Sequence, residues 1–316
     1  MSSRTSMMDE FESVFKSSVR PHVEIEPLRF ERLLMVLDCC GAQEKRQAVV
    51  ACAADLIDRH KQLETRVIAP CRPEASSEQA EALLAESLET LSRAGEGRVA
   101  GQVATGSPHR VILDHVKDFA PSMILMSSLF GENDEDLETY TLGSVTDRVL
   151  SEVSEPVLLI EGKVDDVARM WSDILVYVED QNTAHACLAA TRTLALKEAN
   201  THLFHVIDSE WLTQVGRAVE LASELDSGKT KEAIVRSLKR DMDHYLSAAA
   251  EALDRTGHRA ATFIEVGDPI DLTRRQIWAG GHRLLICNSV APDQKLIDSI
   301  AYNLAAYMRE IPLLLV

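Results

Sequence analysis

The sequence predicts an α/β fold built twice, as two tandem domains that each hold a five-stranded parallel sheet. Three observations carry this. Short apolar runs rich in Val, Ile and Leu alternate with helix-like stretches, the pattern of strands buried on both faces of a parallel sheet. The order of runs in the first half recurs in the second. The spacing recurs too: Gly106 to Met126 is 20 positions, and so is Gly267 to Cys287. A length of 316 residues suits two domains.

In the first half, RLLMVLD (Arg32–Asp38) opens as a strand, and a helix is predicted from about Gln43 to His60. TRVIAP (Thr65–Pro70), a helix near Ser77–Arg93 and GRVAGQVATG (Gly97–Gly106) follow. A helix from Ser107 to about Phe119, the strand SMILMSS (Ser122–Ser128), a loop, a helix from Ser144 and the strand PVLLI (Pro156–Ile160) complete it. The second half restarts with DILVYVED (Asp173–Asp180), a helix from about Asn182 to Glu198 and THLFHVID (Thr201–Asp208). Then ATFIEVGDP parallels AGQVATGSP, RLLICNS parallels SMILMSS, and IPLLLV parallels EPVLLI.

The halves differ in one respect. Asp38 to Gly106 spans 68 positions and Glu179 to Gly267 spans 88, so the second half carries a helical insertion near 210–257. The expected domains are 29–163 and 170–316. They follow a helical segment, 1–28, whose Met8, Phe11, Phe15 and Val19 recur at helical spacing.

Acidic residues outnumber basic ones, 50 to 33, for a formal charge of −17, which argues against nucleic acid and anionic membrane surfaces as partners. No apolar run reaches membrane-span length, and the first residues are too acidic for a signal peptide, so a cytoplasmic location is expected. Six cysteines form no C-x-x-C pair and do not cluster with histidine, which points to reduced thiols; Cys39-Cys40 is the one pair that redox chemistry could use.

Several motifs fail on physical grounds. SELDSGKT (Ser223–Thr230) ends like a P-loop but lies in a helical stretch, with Ser223 in place of the first glycine. GEGRVAG lies between a helix and a strand, the reverse of a dinucleotide fingerprint. His202 and His205 are three apart in a strand and so point to opposite faces. No nucleophile elbow or other catalytic constellation is present, so no enzyme is expected.

The tandem plan, GSPHRVILDHVKDFAPSMILMSS and LGSVTDRVLSEVSEPVLLI together resemble the universal stress protein family over roughly Phe30–Val316. The resemblance implies that each domain is a nucleotide-binding-like α/β sandwich and that the domains pair through their last strands. Members that bind ATP use an Asp ending the first strand, a Val in the second, and a loop G-x2-G-x9-G-[ST]. Its glycines let backbone N–H groups approach the phosphates at a helix N-terminus.

Carried over, Asp38 is the strand-end Asp and Gly143, Ser144 and Val145 are the Gly-Ser-Val. Ser127, followed by Ser128, stands at the first glycine, Phe130 at the second with Gly131 as a shifted substitute, and Ala69 at the Val position. Ser127 to Gly143 is 16 positions against the family's 13, and the loop carries Glu132, Asp134, Glu135, Asp136 and Glu138. Five carboxylates facing a triphosphate would cost a few kcal/mol in sum. In the second half Val206 fits, but Glu179 replaces the Asp, Asn288 the first glycine, and Ser299-Ile300 the Gly-Ser. Without a ligand, Ser144 also reads as a helix N-cap with Asp147 three residues on.

The expected function is therefore a non-enzymatic stress-response protein with a degenerate nucleotide site, acting through a protein partner or ligand sensing. It would hold no cofactor and no metal, and could form a further homodimer. The alternative is an ATP or AMP sensor that uses Mg²⁺ in the first domain alone. A small ligand near the second-half insertion is a third reading.

Overall fold

In a computed structural model the protein is described over residues 22–73, 77–95, 97–131, 141–161, 164, 166–222, 227–289 and 300–316. The first half contains β1 (Arg32–Val36), α1 (Gln43–Arg59), β2 (Glu64–Cys71), α2 (Ser77–Ala94), β3 (Val99–Thr105), α3 (Pro108–Phe119), β4 (Met123–Ser127), α4 (Ser144–Glu152) and β5 (Val157–Ile160). A one-turn helix, α5 (Val167–Met170), leads into the second half. There follow β6 (Asp173–Tyr177), α6 (Ala184–Leu194), β7 (Asn200–Asp208), α7 (Ser209–Ala222), α8 (Ser227–Arg255), β8 (Arg259–Gly267), α9 (Pro269–Gly280), β9 (Leu284–Cys287), α10 (Ile300–Tyr307) and β10 (Leu313–Leu315). Two helices, α7 and α8, connect β7 to β8, where one helix, α2, connects β2 to β3.

All ten strands join one sheet in the order β3-β2-β1-β4-β5-β10-β9-β6-β7-β8. Each half is parallel with the same internal order, and the halves meet where β10 runs antiparallel to β5, with Leu158 opposite Leu314. Pairing through the last strands is thus present within one chain. The central strands have no exposed face: β4, β5, β9 and β10 are buried at every position. Their near-continuous apolar sequences follow from that double burial.

Alternation along the strands sends Leu33, Met35, Leu125, Val176 and Leu203 to one face, packed with α1, α6 and α8. Leu34, Val36, Met126, Tyr177, Phe204 and Val206 go to the other, packed with α3, α4, α9 and α10. Burying these side chains contributes roughly 1.5–3 kcal/mol each.

Side-chain contacts also stitch the halves together beyond the sheet. Arg59, from the end of α1, lies 5.0 Å over the fully buried Trp171 ring and donates to the Leu194 carbonyl at 2.7 Å. Asp55 holds the same guanidinium at 2.8 Å. Residues 22–30 form neither helix nor strand and cross onto the second half, so the helical segment expected over 1–28 does not extend through 22–28. There Leu28 N–H donates to Thr193 Oγ1 at 2.7 Å, and Arg192 donates to the Ile25 carbonyl. The helical spacing predicted from Met8 to Val19 lies outside the described residues.

Candidate functional site

In open parallel sheets, ligands bind beyond the carboxyl ends of the strands where the strand order reverses. In the first half this is the junction of β1 and β4, and Asp38, Ser127, Ser128 and Gly131 all lie there. Asp38 follows β1 at 6% exposure. Its Oδ1 accepts from the Cys40 N–H at 3.0 Å and the Gly41 N–H at 2.9 Å, and its Oδ2 accepts from the Gly131 N–H at 2.7 Å. A carboxylate offers about four acceptor sites. Three are taken by the chain itself. Arg46 of α1 braces the same turn, donating to the carbonyls of Asp38 and Gly41 at 3.3 and 3.1 Å.

The segment after β4 enters this site by folding inward. Leu129 adopts φ 50° and bonds through its N–H to the Leu142 carbonyl at 3.1 Å. Phe130, 2% exposed, joins Leu142, Val145 and Val149 in the core. Where the resemblance implies a second glycine, an aromatic ring is therefore buried. Gly131 follows at φ 73°, a left-handed conformation that suits glycine. The acidic residues from Glu132 to Glu138 lie outside the described residues.

Gly143, not Ser144, is the N-cap of α4. Its φ of 85° and ψ of 154° suit glycine, and Ser144 becomes the first helical residue, exposed to solvent. The predicted cap is therefore displaced by one position: the backbone angle decides against the better capping side chain. Val145 and Val149 are buried, and Thr146 is fully buried. Thr141 Oγ1 accepts from the Gly143 N–H at 3.1 Å and donates to Asp147 Oδ2 at 3.3 Å. The hydroxyls of Ser127 and Ser128, at 2% and 1% exposure, have no hydrogen-bond partner among the described residues.

Sequence reasoning missed two residues here. Tyr302 of α10 donates its hydroxyl to Asp147 Oδ1 at 3.1 Å, and Arg309 donates to the Thr141 carbonyl at 2.7 Å. The second half thereby holds the start of α4. Pairing of the last strands brings α4 and α10 side by side, which is the signal that could have located them.

The thiols beside Asp38 are not activated. Burial, then the Asp38 charge, pushes the Cys39 thiol up to about 11, and the same causes raise Cys40. Both are protonated at neutral pH, against the redox role considered for this pair.

In the second half, Val178 N–H bonds the Phe204 carbonyl just as Leu37 N–H bonds that of Ile68. This places Glu179 at the position of Asp38, as the sequence alignment has it. The same register makes Ala69 equivalent to His205, so Ala69 and Val206 are not counterparts; they face opposite sides of the sheet. The turn after β6 is held by Asp180 instead. It accepts from the N–H groups of Asn182 and Thr183 at 2.6 and 3.1 Å. Glu179 is left half-buried, its carboxyl above the usual range because of burial and then the Asp180 charge. Ser299 lies outside the described residues.

Residues 32–161 match the model of the Universal stress protein family. The chain is also similar in fold to a universal stress protein from Archaeoglobus fulgidus DSM 4304. That match has 18% identity and a TM-score of 0.61, and covers 91% of this chain and 98% of that one. A functionally unknown protein from Pseudomonas aeruginosa PAO1 is similar at 17% identity and TM-score 0.57, over 92% and 93% of the two chains. No curated protein matches the sequence. Residues 32–161 are thus a domain of the universal stress protein family, and β6 to β10 repeat its strand order within the same sheet.

Proposed function

We propose that this is a non-enzymatic stress-response protein of the cytoplasm that acts through a protein partner or ligand sensing, with residues 29–163 and 170–316 as its paired domains. Its first-half nucleotide cleft is degenerate. The observation that carries this reading is the state of Asp38, whose carboxylate is already bonded to three N–H groups of its own chain, one of them from Gly131. A nucleotide base seeking that carboxylate would find one acceptor position left, on the oxygen that already holds the Gly131 N–H. Buried Phe130 fills the place of a phosphate-loop glycine, and Glu179 and Asn288 leave the second half no better equipped.

Titration calorimetry with ATP and Mg²⁺ tests this. No saturable heat is expected up to millimolar nucleotide. Micromolar binding that disappears in Gly143→Asp would overturn the reading. It would favour the alternative, an ATP or AMP sensor in the first half using Mg²⁺. That alternative draws its support from the hydroxyls of Ser127 and Ser128, unpartnered among the described residues, and from the retained Gly143-Ser144-Val145.

A further inference from the structure

At the opposite, amino-terminal edge of the second-half sheet lies a polar cluster that the proposed function does not use. His282, in the turn from α9 to β9, is 4% exposed, and neither of its ring nitrogens has a hydrogen-bond partner among the described residues. Its ring meets that of His202, on β7, edge to face at 4.4 Å between centroids. His202 in turn packs against Phe263 of β8 at 4.7 Å, and its Nδ1 lies 3.4 Å from Gln276 Nε2 of α9. A Cβ on Gly280 would fall 2.3 Å from His282 Nε2, so the ring is seated directly on the last turn of α9. The two imidazoles therefore tie β7, β8 and α9 together.

The charged group facing both rings is Asp173, at the start of β6. Its Oδ1 accepts from Asn200 Nδ2 at 3.3 Å and its carbonyl from the Arg283 N–H at 2.8 Å. Of the neighbouring side chains, Gln276 is neutral and Arg275 of α9 is paired with Glu265 of β8. Two neutral imidazoles in contact are compatible with a dry packing site. Two imidazolium ions are not: burial disfavours each charge, and the charges repel at this separation.

We propose that His202 and His282 form an acid-sensitive latch, holding α9 against β7 and β8 while both rings are neutral and releasing it when they take up protons. Burial, then the neighbouring His202, holds His282 down at about 4, below the ordinary value of 6.5. The folded value is the lower one. The latch is thus fully engaged above pH 6.5 and weakens as pH falls from there toward 4. Its release would uncover Ile277, which is 5% exposed.

Hydrogen exchange of the full chain, followed by mass spectrometry at pH 7.5 and pH 5.0 and corrected for the intrinsic rate, tests this. Protection of residues 269–281 is expected to fall by up to about tenfold per pH unit for each proton taken up, while residues 32–71 keep theirs. His282→Gln and His202→Gln each remove one titrating ring and should flatten that dependence. Equal protection of 269–281 at the two pH values in the unmodified chain would overturn the latch. So would an undiminished loss in either variant that folds.

Discussion

The amide of Gly131 donates to Oδ2 of Asp38 at 2.7 Å, joining residues 93 positions apart across the mouth of the first-half sheet. The bond ties the segment after β4 to the turn after β1 and takes up one acceptor position of the Asp38 carboxylate.

Replacing Asp38 by Asn tests that role. The NH2 of Asn donates and cannot accept, so whichever way the side chain turns, either Gly131 or the Cys40 and Gly41 pair faces another donor. A loss of about 1–3 kcal/mol is expected in urea unfolding, with nucleotide binding unchanged. A variant as stable as the parent would show that these bonds contribute nothing.

Arg59 should behave as a strut between the halves. Its guanidinium covers Trp171, bonds the Leu194 carbonyl and is held by Asp55. Arg59→Ala should lower stability by about 2–3 kcal/mol, since a charged hydrogen bond and a partly desolvated cation–π contact are both lost. Arg59→Lys keeps the charge without the planar fork and should recover less than half of this. Tryptophan fluorescence during urea unfolding reads both variants.

Glu179 should show the opposite sign. Its carboxyl is raised by burial, so the ionised form costs stability at neutral pH. The cost is absent below the unfolded value of 4.5 and grows as pH rises through the folded one. Glu179→Gln should therefore raise the urea midpoint at pH 7 and leave it unchanged at pH 4. A lower midpoint at pH 7 would mean that the carboxylate has a partner it depends on.

The apolar runs and their repeated spacing made the strands legible, because strands buried on both faces leave little room for polar residues. What escaped depends on contacts between distant segments or on backbone angles. The cap of α4 moved from Ser144 to Gly143 because φ is 85° there, and no composition rule reports an angle. The pairing of Ala69 with Val206 was one residue out, and one residue turns a strand side chain to the other face. The bond from Gly131 to Asp38 and the contact between Tyr302 and Asp147 join residues 93 and 155 positions apart, where local sequence carries no signal.

The antiparallel seam between β5 and β10 also sets an order of events during synthesis. Leu158 waits for Leu314, about 150 residues later in the chain. At ordinary elongation rates that is roughly 8–30 s during which a nascent first half carries an unpaired, wholly apolar edge. Such an edge invites pairing with another chain. The strand that fills the middle of the sheet, β10, is made after the other nine.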